Sequence, residues 1–162
     1  MKDFETRWKS GEPETPCGAG STLEGSKQIR ELLPQIVHRH RIRSIANVGC
    51  GDLHWWPKIV LPYDVTNHHY DVHYQPLKFN AITDVLPRAY DLILTNYVLN
   101  HIYVTGGVQS CIDNFKASGS VLLLSTDCDS YPLTVGEQLE SHAIYDAGGK
   151  YPKEWNYRLW KL

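Results

Sequence analysis

Residues 45–56 read "IANVGCGDLHWW", and this stretch decides the fold. It runs from a short apolar segment of strand-like composition into two glycines separated by one residue, and then into an acid and two tryptophans. A strand that ends in Gly-x-Gly leaves bare backbone at the carboxyl edge of a parallel sheet, where ligands of open α/β folds bind. We therefore expect a small polar or anionic ligand to approach the turn at Gly49 and Gly51.

Short apolar runs bounded by turn residues recur along the chain. Their length and β-branched content favour parallel strands that are buried on both faces. The last stretch alternates between apolar and polar residues, which suits a terminal strand. The expected strands cover residues 44–48, 69–74, 90–95, 120–125 and 155–162. Because helical or irregular segments separate most of them, the predicted fold class is α/β.

The first helical pattern follows a spacing typical of a helix start. Ser21 and Glu24 have the S-x-x-E spacing of a capping box, which predicts that a helix begins there and ends near His40. Pro34 lacks a backbone donor and is expected to kink it. The apolar face of this helix comprises Ile29, Leu32, Leu33, Ile36 and Val37.

A second helix is predicted over residues 97–116. Gly106 and Gly107 are expected to interrupt it, and Ser118-Gly119 to end it. Its predicted inward residues are Val98, Ile102, Val108, Ile112 and Phe115.

Length and composition limit the number of domains, the kinds of partner and the localisation of the protein. The 162 residues, 42% of them hydrophobic, suffice for one buried core but not for two ordinary domains. We expect an irregular arm over residues 1–20 and a single cofactor-binding domain over residues 21–162. The net charge of -2 gives no electrostatic basis for nucleic-acid binding. No leader pattern and no long apolar run are present, so we expect a cytoplasmic protein without membrane contact.

The cysteines predict reduced thiols. They are widely scattered and form no Cys-x-x-Cys pair, which argues against a disulfide framework and a zinc knuckle. Their positions are Cys17, Cys50, Cys111 and Cys128.

An acid at the end of the next expected strand strengthens the interpretation of the glycine turn. Asp71 stands in "HHYDVHY", about twenty residues beyond the glycines, where a carboxylate can accept both hydroxyls of a ribose. The third glycine of the dinucleotide fingerprint is absent, because His54 occupies its position. This weakens the hypothesis that the protein is a nicotinamide-dependent oxidoreductase.

Several segments together resemble a known family. The segments "GAGSTLE", "NVGCGDLHWW", "DVLPRAYDLIL" and "NYVLNHI" have the order and approximate spacing seen in a group of bacterial and viral class I S-adenosylmethionine-dependent methyltransferases, often found among saccharide-related genes. The closing "YRLWKL" is similar to their terminal strand. The resemblance implies a trimmed Rossmann-like methyltransferase sheet with helices on both faces and a terminal antiparallel strand. It also implies S-adenosylmethionine as cofactor.

The resemblance further implies which residues hold that cofactor. They are Gly49, Cys50 and Gly51 for the methionine portion, Asp71 for the ribose, Asn80 near the adenine, Gly20 and Ser21 as a cover, and Asn96 beside the sulfonium. The implied methyl acceptor is a hydroxyl or an amine of a small molecule or saccharide. A homo-oligomer is possible, and the sequence does not decide the oligomeric state.

Three residues after the third long strand are the candidates for catalysis. Asn96 and Tyr97 follow the strand that the resemblance places opposite the sulfonium, and His101 lies one turn further on. Histidine has a pKa suited to a general base, although a histidine that is hydrogen-bonded within helix packing is the structural alternative.

Other aromatic and acidic residues have two interpretations each. His54, Trp55 and Trp56 either line the substrate side of the glycine turn or are core aromatics under a short helix. Asp127 and Asp129 follow the fourth strand, where reacting groups collect, but solvated turn acids are favoured.

A metal site and methylation of DNA bases are both disfavoured. Of His68, His69 and His73, only the last two can share a face of a strand, which is too few ligands, so we expect no metal. The segment after the third strand reads "TNYVLNHI" instead of the Asn-Pro-Pro-Tyr motif of amino-methylating enzymes.

The alternative to a methyltransferase is an S-adenosylmethionine-binding protein without transfer activity, acting as a sensor, sequestering or assembly module.

Overall fold

The structure, a computed structural model, describes residues 14–73, 77–128, 133, 135–144 and 155–162. Seven strands within these ranges form one sheet in the order β3-β2-β1-β4-β5-β7-β6. They are β1 (Ser44–Val48), β2 (Thr66–Asp71), β3 (Leu77–Lys78), β4 (Leu92–Thr95), β5 (Leu122–Cys128), β6 (Glu137–Ala143) and β7 (Trp155–Lys161).

The pairing confirms a parallel sheet with a terminal antiparallel strand. Strand β1 pairs in parallel with β2 and β4, β2 with β3, and β4 with β5. Strand β7 runs antiparallel to both of its neighbours, β5 and β6. Consequently the carboxyl ends of β1, β2, β4 and β5 meet at one edge of the sheet.

Helices cover both faces of the sheet, as predicted. They are α1 (Lys27–Arg39), α2 (Leu99–Tyr103) and α3 (Val108–Ala117). The predicted apolar face of α1 is fully buried, and it packs with Ile45 of β1 and Leu92 of β4 in one core cluster. Helix α3 packs with Ala46 and Ile93 in a second cluster on the opposite face. Successive residues of a strand point to opposite faces, so β1 and β4 serve both clusters.

The predicted start of the first helix is wrong. The segment from Ser21 to Glu24 does not form the first helical turn, because α1 begins only at Lys27, with Ser26 before it. The chain makes a compact turn there, in which the Gly25 N–H donates to Thr22 Oγ1 over 2.9 Å. A side chain at residue 25 would collide with the Ala19 carbonyl, so this turn requires glycine. The predicted end near His40 is confirmed.

The second predicted helix is two helices. Gly106 and Gly107 separate α2 from α3, as expected, and α3 ends at Ala117, directly before Ser118. The helical segment begins at Leu99 and not at residue 97, because Tyr97 adopts the left-handed conformation with φ 55°. Of the predicted inward residues, Ile112 and Phe115 are buried, whereas the other three are only half-buried.

Two predictions about strands are corrected. Strand β2 lies three residues earlier than expected and is not buried on both faces, since Tyr70 is its one buried residue and Thr66 and Asn67 are exposed. Its outer neighbour is the two-residue β3, and only residues 72–76 connect them, so no crossover helix fits. The trimming predicted for the fold is thus found in the short connection between β2 and β3, whereas the described sheet has seven strands. Strand β6 was not predicted.

Asp127 is not a solvated turn acid. It belongs to β5, is 2% exposed, and lies 3.3 Å from Arg158 Nε of the neighbouring strand β7. Burial is tolerated because the guanidinium compensates the carboxylate. Asp129 lies outside the described residues.

Three further predictions concern membrane-spanning helices, the state of the cysteines and the N-terminal arm. None of the helices in the described ranges is long and apolar enough to cross a membrane. Cys17, Cys50 and Cys111 are free thiols. Of the irregular arm, residues 14–20 are described, and they end in a 3₁₀ turn at Ala19–Ser21. Thr15 in this arm is buried, so the arm packs against the fold.

Candidate functional site

The glycine turn after β1 has an unusual backbone. Gly49 and Gly51 have φ values of 72° and 59°, and Leu53 follows with φ 60°. The Gly49 N–H donates to the Tyr70 carbonyl of β2 over 2.7 Å, which fixes the turn at the carboxyl edge of the sheet. Left-handed backbone is costly for a leucine and persists only where the surroundings impose it, commonly at functional sites.

Side chains of the protein itself lie against both glycines. A Cβ at residue 49 would collide with the side chain of Val98, which precedes α2. A Cβ at residue 51 would lie 2.7 Å from Cys17 Sγ in the N-terminal arm. The missing side chains therefore allow the arm and the β4–α2 connection to close around the turn, so at these two positions the glycines face protein groups.

Asp71 ties the end of β2 to the same turn. The Gly51 N–H donates to Asp71 Oδ2 over 3.0 Å, and the His73 N–H donates to Oδ1 over 2.8 Å. Each carboxylate oxygen has two acceptor positions, so one position on each oxygen remains beyond these bonds. The two hydroxyls of a ribose require an acceptor pair of this kind, and the ribose contact of Asp71 stays a prediction.

The N-terminal arm is fastened to the turn by side chains. Thr15 Oγ1 donates to Asp52 Oδ2 over 2.7 Å, and the Asp52 N–H donates to Cys17 Sγ over 3.2 Å. Glu14 Oε1 lies 2.8 Å from His54 Nε2. These contacts place His54 beside the arm, and no feature of the sequence indicated them, since the partners are far apart in the chain.

Cys50 is held at the centre of the turn as a neutral thiol. Burial, reinforced by the nearby Asp71 carboxylate, raises its pKa to about 12. Since the thiolate is the nucleophilic form of cysteine, this residue is unsuited to covalent catalysis at neutral pH.

Asn96 and Tyr97 stand together at the carboxyl end of β4. The hydroxyl of Thr126 on β5 donates to Asn96 Oδ1 over 3.3 Å and accepts the Tyr97 N–H over 3.2 Å. The Tyr97 ring packs on Gly20, where a Cβ would lie 2.6 Å from Cδ2. The structure thus brings Gly20 of the arm to the strand that carries two of the predicted catalytic residues, and Ser21 ends the same 3₁₀ turn.

Two predicted residues lie apart from this group. His101 is exposed on α2, and both its role as a base and the alternative of a histidine hydrogen-bonded within helix packing stay predictions. Asn80 is exposed in a turn after β3, where its Oδ1 accepts the Ile82 N–H over 3.0 Å and its own N–H donates to Asp84 over 2.8 Å. This carboxamide oxygen is already used locally, and an adenine contact by Asn80 stays a prediction.

The aromatic residues beyond the turn belong to the core. Trp55 is 3% exposed and lies in the cluster under α1, and Trp56 packs partly against it before a 3₁₀ turn at Trp56–Lys58. The core interpretation of Trp55 therefore holds. Trp56 also contacts the ring of His69, whose Nδ1 lies 3.3 Å from Asn47 Nδ2.

The surroundings of His69 favour its uncharged form. Burial, and to a lesser degree neighbouring His68, lowers the pKa of His69, which favours the neutral imidazole. Within the described residues no group of three or more His, Cys, Asp or Glu side chains is arranged to hold a metal ion.

Comparison with known proteins gives structural likeness only. No protein-family model matches the chain, and no curated protein matches it significantly. Among solved structures, N-methyltransferase NodS from Bradyrhizobium japonicum WM9 has a TM-score of 0.64 at 11% identity, covering 88% of this chain and 98% of that one. NodS in complex with S-adenosyl-L-homocysteine has a TM-score of 0.65 at 12% identity, covering 98% and 95%. An rRNA methylase from Escherichia coli has a TM-score of 0.56 at 11% identity, covering 98% and 75%. At such identities the likeness establishes the Rossmann-like methyltransferase fold.

Proposed function

We propose that this protein is a methyltransferase that uses S-adenosylmethionine as methyl donor. The observation that carries the proposal is the link between the glycine turn and Asp71, through the Gly51 N–H, at the carboxyl edge of this particular sheet. The similar solved structures bear the names of methyltransferases, and one of them contains S-adenosyl-L-homocysteine, which supports the same conclusion.

The residues present fit such a cofactor. Asp71 has acceptor positions for the ribose hydroxyls, and the turn from Gly49 to Gly51 offers backbone to the methionine portion. Gly20 and Ser21 would cover the site from the arm, and Asn96 would border it at the end of β4. When bound, the cofactor supplies an electrophilic methyl group on a sulfonium.

We attribute the catalytic contribution of the chain mainly to positioning. Methyl transfer needs an in-line nucleophile and a site that excludes water, and orientation alone supplies a large share of the rate. The arm excludes water from one side, through its contacts with the turn and with Tyr97. His101, exposed beyond Asn96 and Tyr97, is the candidate base that accepts a proton from the nucleophile.

The acceptor in this proposal is a hydroxyl or an amine of a small molecule or saccharide. The net charge of -2 gives no electrostatic support for binding to a nucleic-acid backbone. A protein that binds S-adenosylmethionine without transferring its methyl group is not favoured, because the similar structures are named as transferases.

Calorimetry of Asp71→Ala tests the cofactor. We expect wild type to bind S-adenosylmethionine and S-adenosylhomocysteine but not NAD, and Asp71→Ala to lose about 2 kcal/mol of affinity, roughly thirtyfold, for both. Asp113→Ala, which removes an exposed carboxylate from α3, is the matched control and should bind normally. Equal affinities of wild type and Asp71→Ala, both folded by circular dichroism, would remove Asp71 from the site. Binding of NAD in place of S-adenosylmethionine would overturn the function itself.

A further inference from the structure

Thr126 joins the two residues that follow β4. It lies on β5, one residue beyond the last pair of β4 with β5, Thr95 with Ser125, and its side chain is fully buried. Its Oγ1 lies 3.2 Å from the Tyr97 nitrogen and 3.3 Å from Asn96 Oδ1. One hydroxyl on the neighbouring strand therefore bonds both the Tyr97 backbone and the Asn96 side chain.

These two hydrogen bonds have a fixed direction. A backbone N–H can only donate, so Thr126 Oγ1 accepts from Tyr97 and its own proton is left to donate to Asn96 Oδ1. If the Asn96 carboxamide were turned over, its nitrogen would face the hydroxyl, and the buried hydroxyl proton would lose its acceptor. Leaving a buried donor unpaired is costly, so the hydroxyl selects the orientation in which Oδ1 faces β5.

This orientation leaves the nitrogen end of Asn96 for a ligand. Asn96 is half-buried, and within the described part of the chain its Nδ2 has no hydrogen bond. The next residue, Tyr97, has the left-handed φ of 55°, which a bulky residue keeps only where its surroundings hold it. The bond from the Tyr97 N–H to Thr126 contributes to that hold. Thr126 thus fixes both the backbone and the side chain at the end of β4.

We propose that Thr126 is a positioning residue of the cofactor site, which acts by orienting Asn96 so that its two Nδ2–H groups donate to the bound ligand. The inference rests on the proposed function, in which Asn96 borders the cofactor at the end of β4. It specifies the chemistry of that contact: since Nδ2 can only donate, the ligand group bound by Asn96 is a hydrogen-bond acceptor. A donor that is already oriented loses little freedom when the ligand arrives, which raises affinity.

Thr126→Val tests this role, because valine has the shape of threonine without the hydroxyl. Thr95→Val is the matched control, since Thr95 is equally buried on the adjacent strand but its hydroxyl has no hydrogen-bond partner. Thr126→Ser keeps the hydroxyl and should restore wild-type behaviour. Without ligand, hydrogen exchange of the Tyr97 amide, measured by NMR, should be about fivefold faster or more in Thr126→Val, because the N–H loses its acceptor. It should be unchanged in the other two variants.

The affinity for S-adenosylhomocysteine is then measured by calorimetry. Loss of the orienting bond should weaken binding by about fivefold in Thr126→Val, whereas Thr126→Ser and Thr95→Val should bind as wild type does. Because Thr126 acts through Asn96, Thr126→Val should cause no further loss in the Asn96→Ala background. A merely structural threonine would weaken binding equally in both backgrounds.

Asn96→Asp tests the orientation directly and does not depend on the folding of Thr126→Val. Aspartate keeps an acceptor for the Thr126 hydroxyl but replaces the donating Nδ2 with an oxygen. The affinity for S-adenosylhomocysteine should therefore decrease by about tenfold or more.

Wild-type affinity of folded Thr126→Val or Asn96→Asp, an undiminished loss in the Asn96→Ala background, or unchanged exchange of the Tyr97 amide would overturn the inference. Failure of wild type to bind S-adenosylhomocysteine would instead overturn the proposed function. The exchange experiment needs no ligand and reports on Thr126 in either case, so the two failures are distinguishable.

Discussion

Replacing Gly51 with alanine tests why the turn after β1 requires glycine. Two costs are expected. The backbone at φ 59° is left-handed, which costs a residue with a Cβ about 1–2 kcal/mol. The new Cβ would also lie 2.7 Å from Cys17 Sγ, and such overpacking typically costs about 1–3 kcal/mol. We therefore expect Gly51→Ala to lower the free energy of unfolding by about 2–5 kcal/mol.

Gly106 provides a control that separates the two costs. Its φ is 75°, and nothing lies within 4 Å of a Cβ built there. Gly106→Ala should therefore show the conformational cost alone, about 1–2 kcal/mol. Cys17→Ala in the Gly51→Ala background removes the colliding sulfur, and its Cβ is 3.4 Å from the new methyl group. It should restore about 1–2 kcal/mol, measured as the coupling energy of a double-mutant cycle.

Urea denaturation followed by circular dichroism gives the free energies of unfolding of wild type, Gly51→Ala, Cys17→Ala, the double variant and Gly106→Ala. Calorimetry gives the cofactor affinity of each folded variant. Gly51→Ala should weaken S-adenosylhomocysteine binding, because the Gly51 N–H also positions Asp71, whereas Gly106→Ala should not. Equal costs for the two alanine substitutions, or no coupling with Cys17, would refute the packing of the arm on the turn.

The remaining predictions concern catalysis and pH. His101→Gln should lower the transfer rate by roughly 10²–10⁴-fold without changing the melting temperature, since the side chain is exposed; a normal rate would exclude it as the base. Partial burial opposes ionisation of Glu140, but hydrogen bonds from His40, Arg39 and His142 outweigh it and lower its pKa from 4.5 to about 2. Its stabilisation, on the order of 2 kcal/mol, should thus be complete above pH 4.5 and decline as the pH falls towards 2. In urea titrations Glu140→Gln should remove this pH dependence, whereas Glu137→Gln, on the same strand but exposed, should retain it.

The parts of the fold with a periodic pattern were predictable from sequence. The apolar face of α1 follows from local spacing, because one buried face imposes its period on the residues. Strand β1 follows from a short apolar run that is buried on both faces. Asp71 at the end of β2 followed from the same logic, although the strand itself lies earlier than expected. These features depend on neighbours in the chain.

The features that escaped prediction depend on partners far away in the chain. Strand β6 reads "EQLESHA", a polar sequence whose strand conformation comes from pairing with β7. Asp127 is buried because Arg158 lies on the adjacent strand. The left-handed backbone of Leu53 and Tyr97 has no sequence signal, since bulky residues rarely adopt it.

The position of β7 sets an order of events during synthesis. It follows β6 in the chain but lies between β5 and β6 in the sheet, and within the described residues β6 pairs with β7 alone. On the ribosome, β6 emerges with no strand to join, and the hydrogen-bonding edge of β5 stays open until residues 155–161 have been made. An open edge is a template for pairing with other chains. Five of the seven described strands can therefore pair before residues 155–161 have been made, and β7 then closes the open edge of β5.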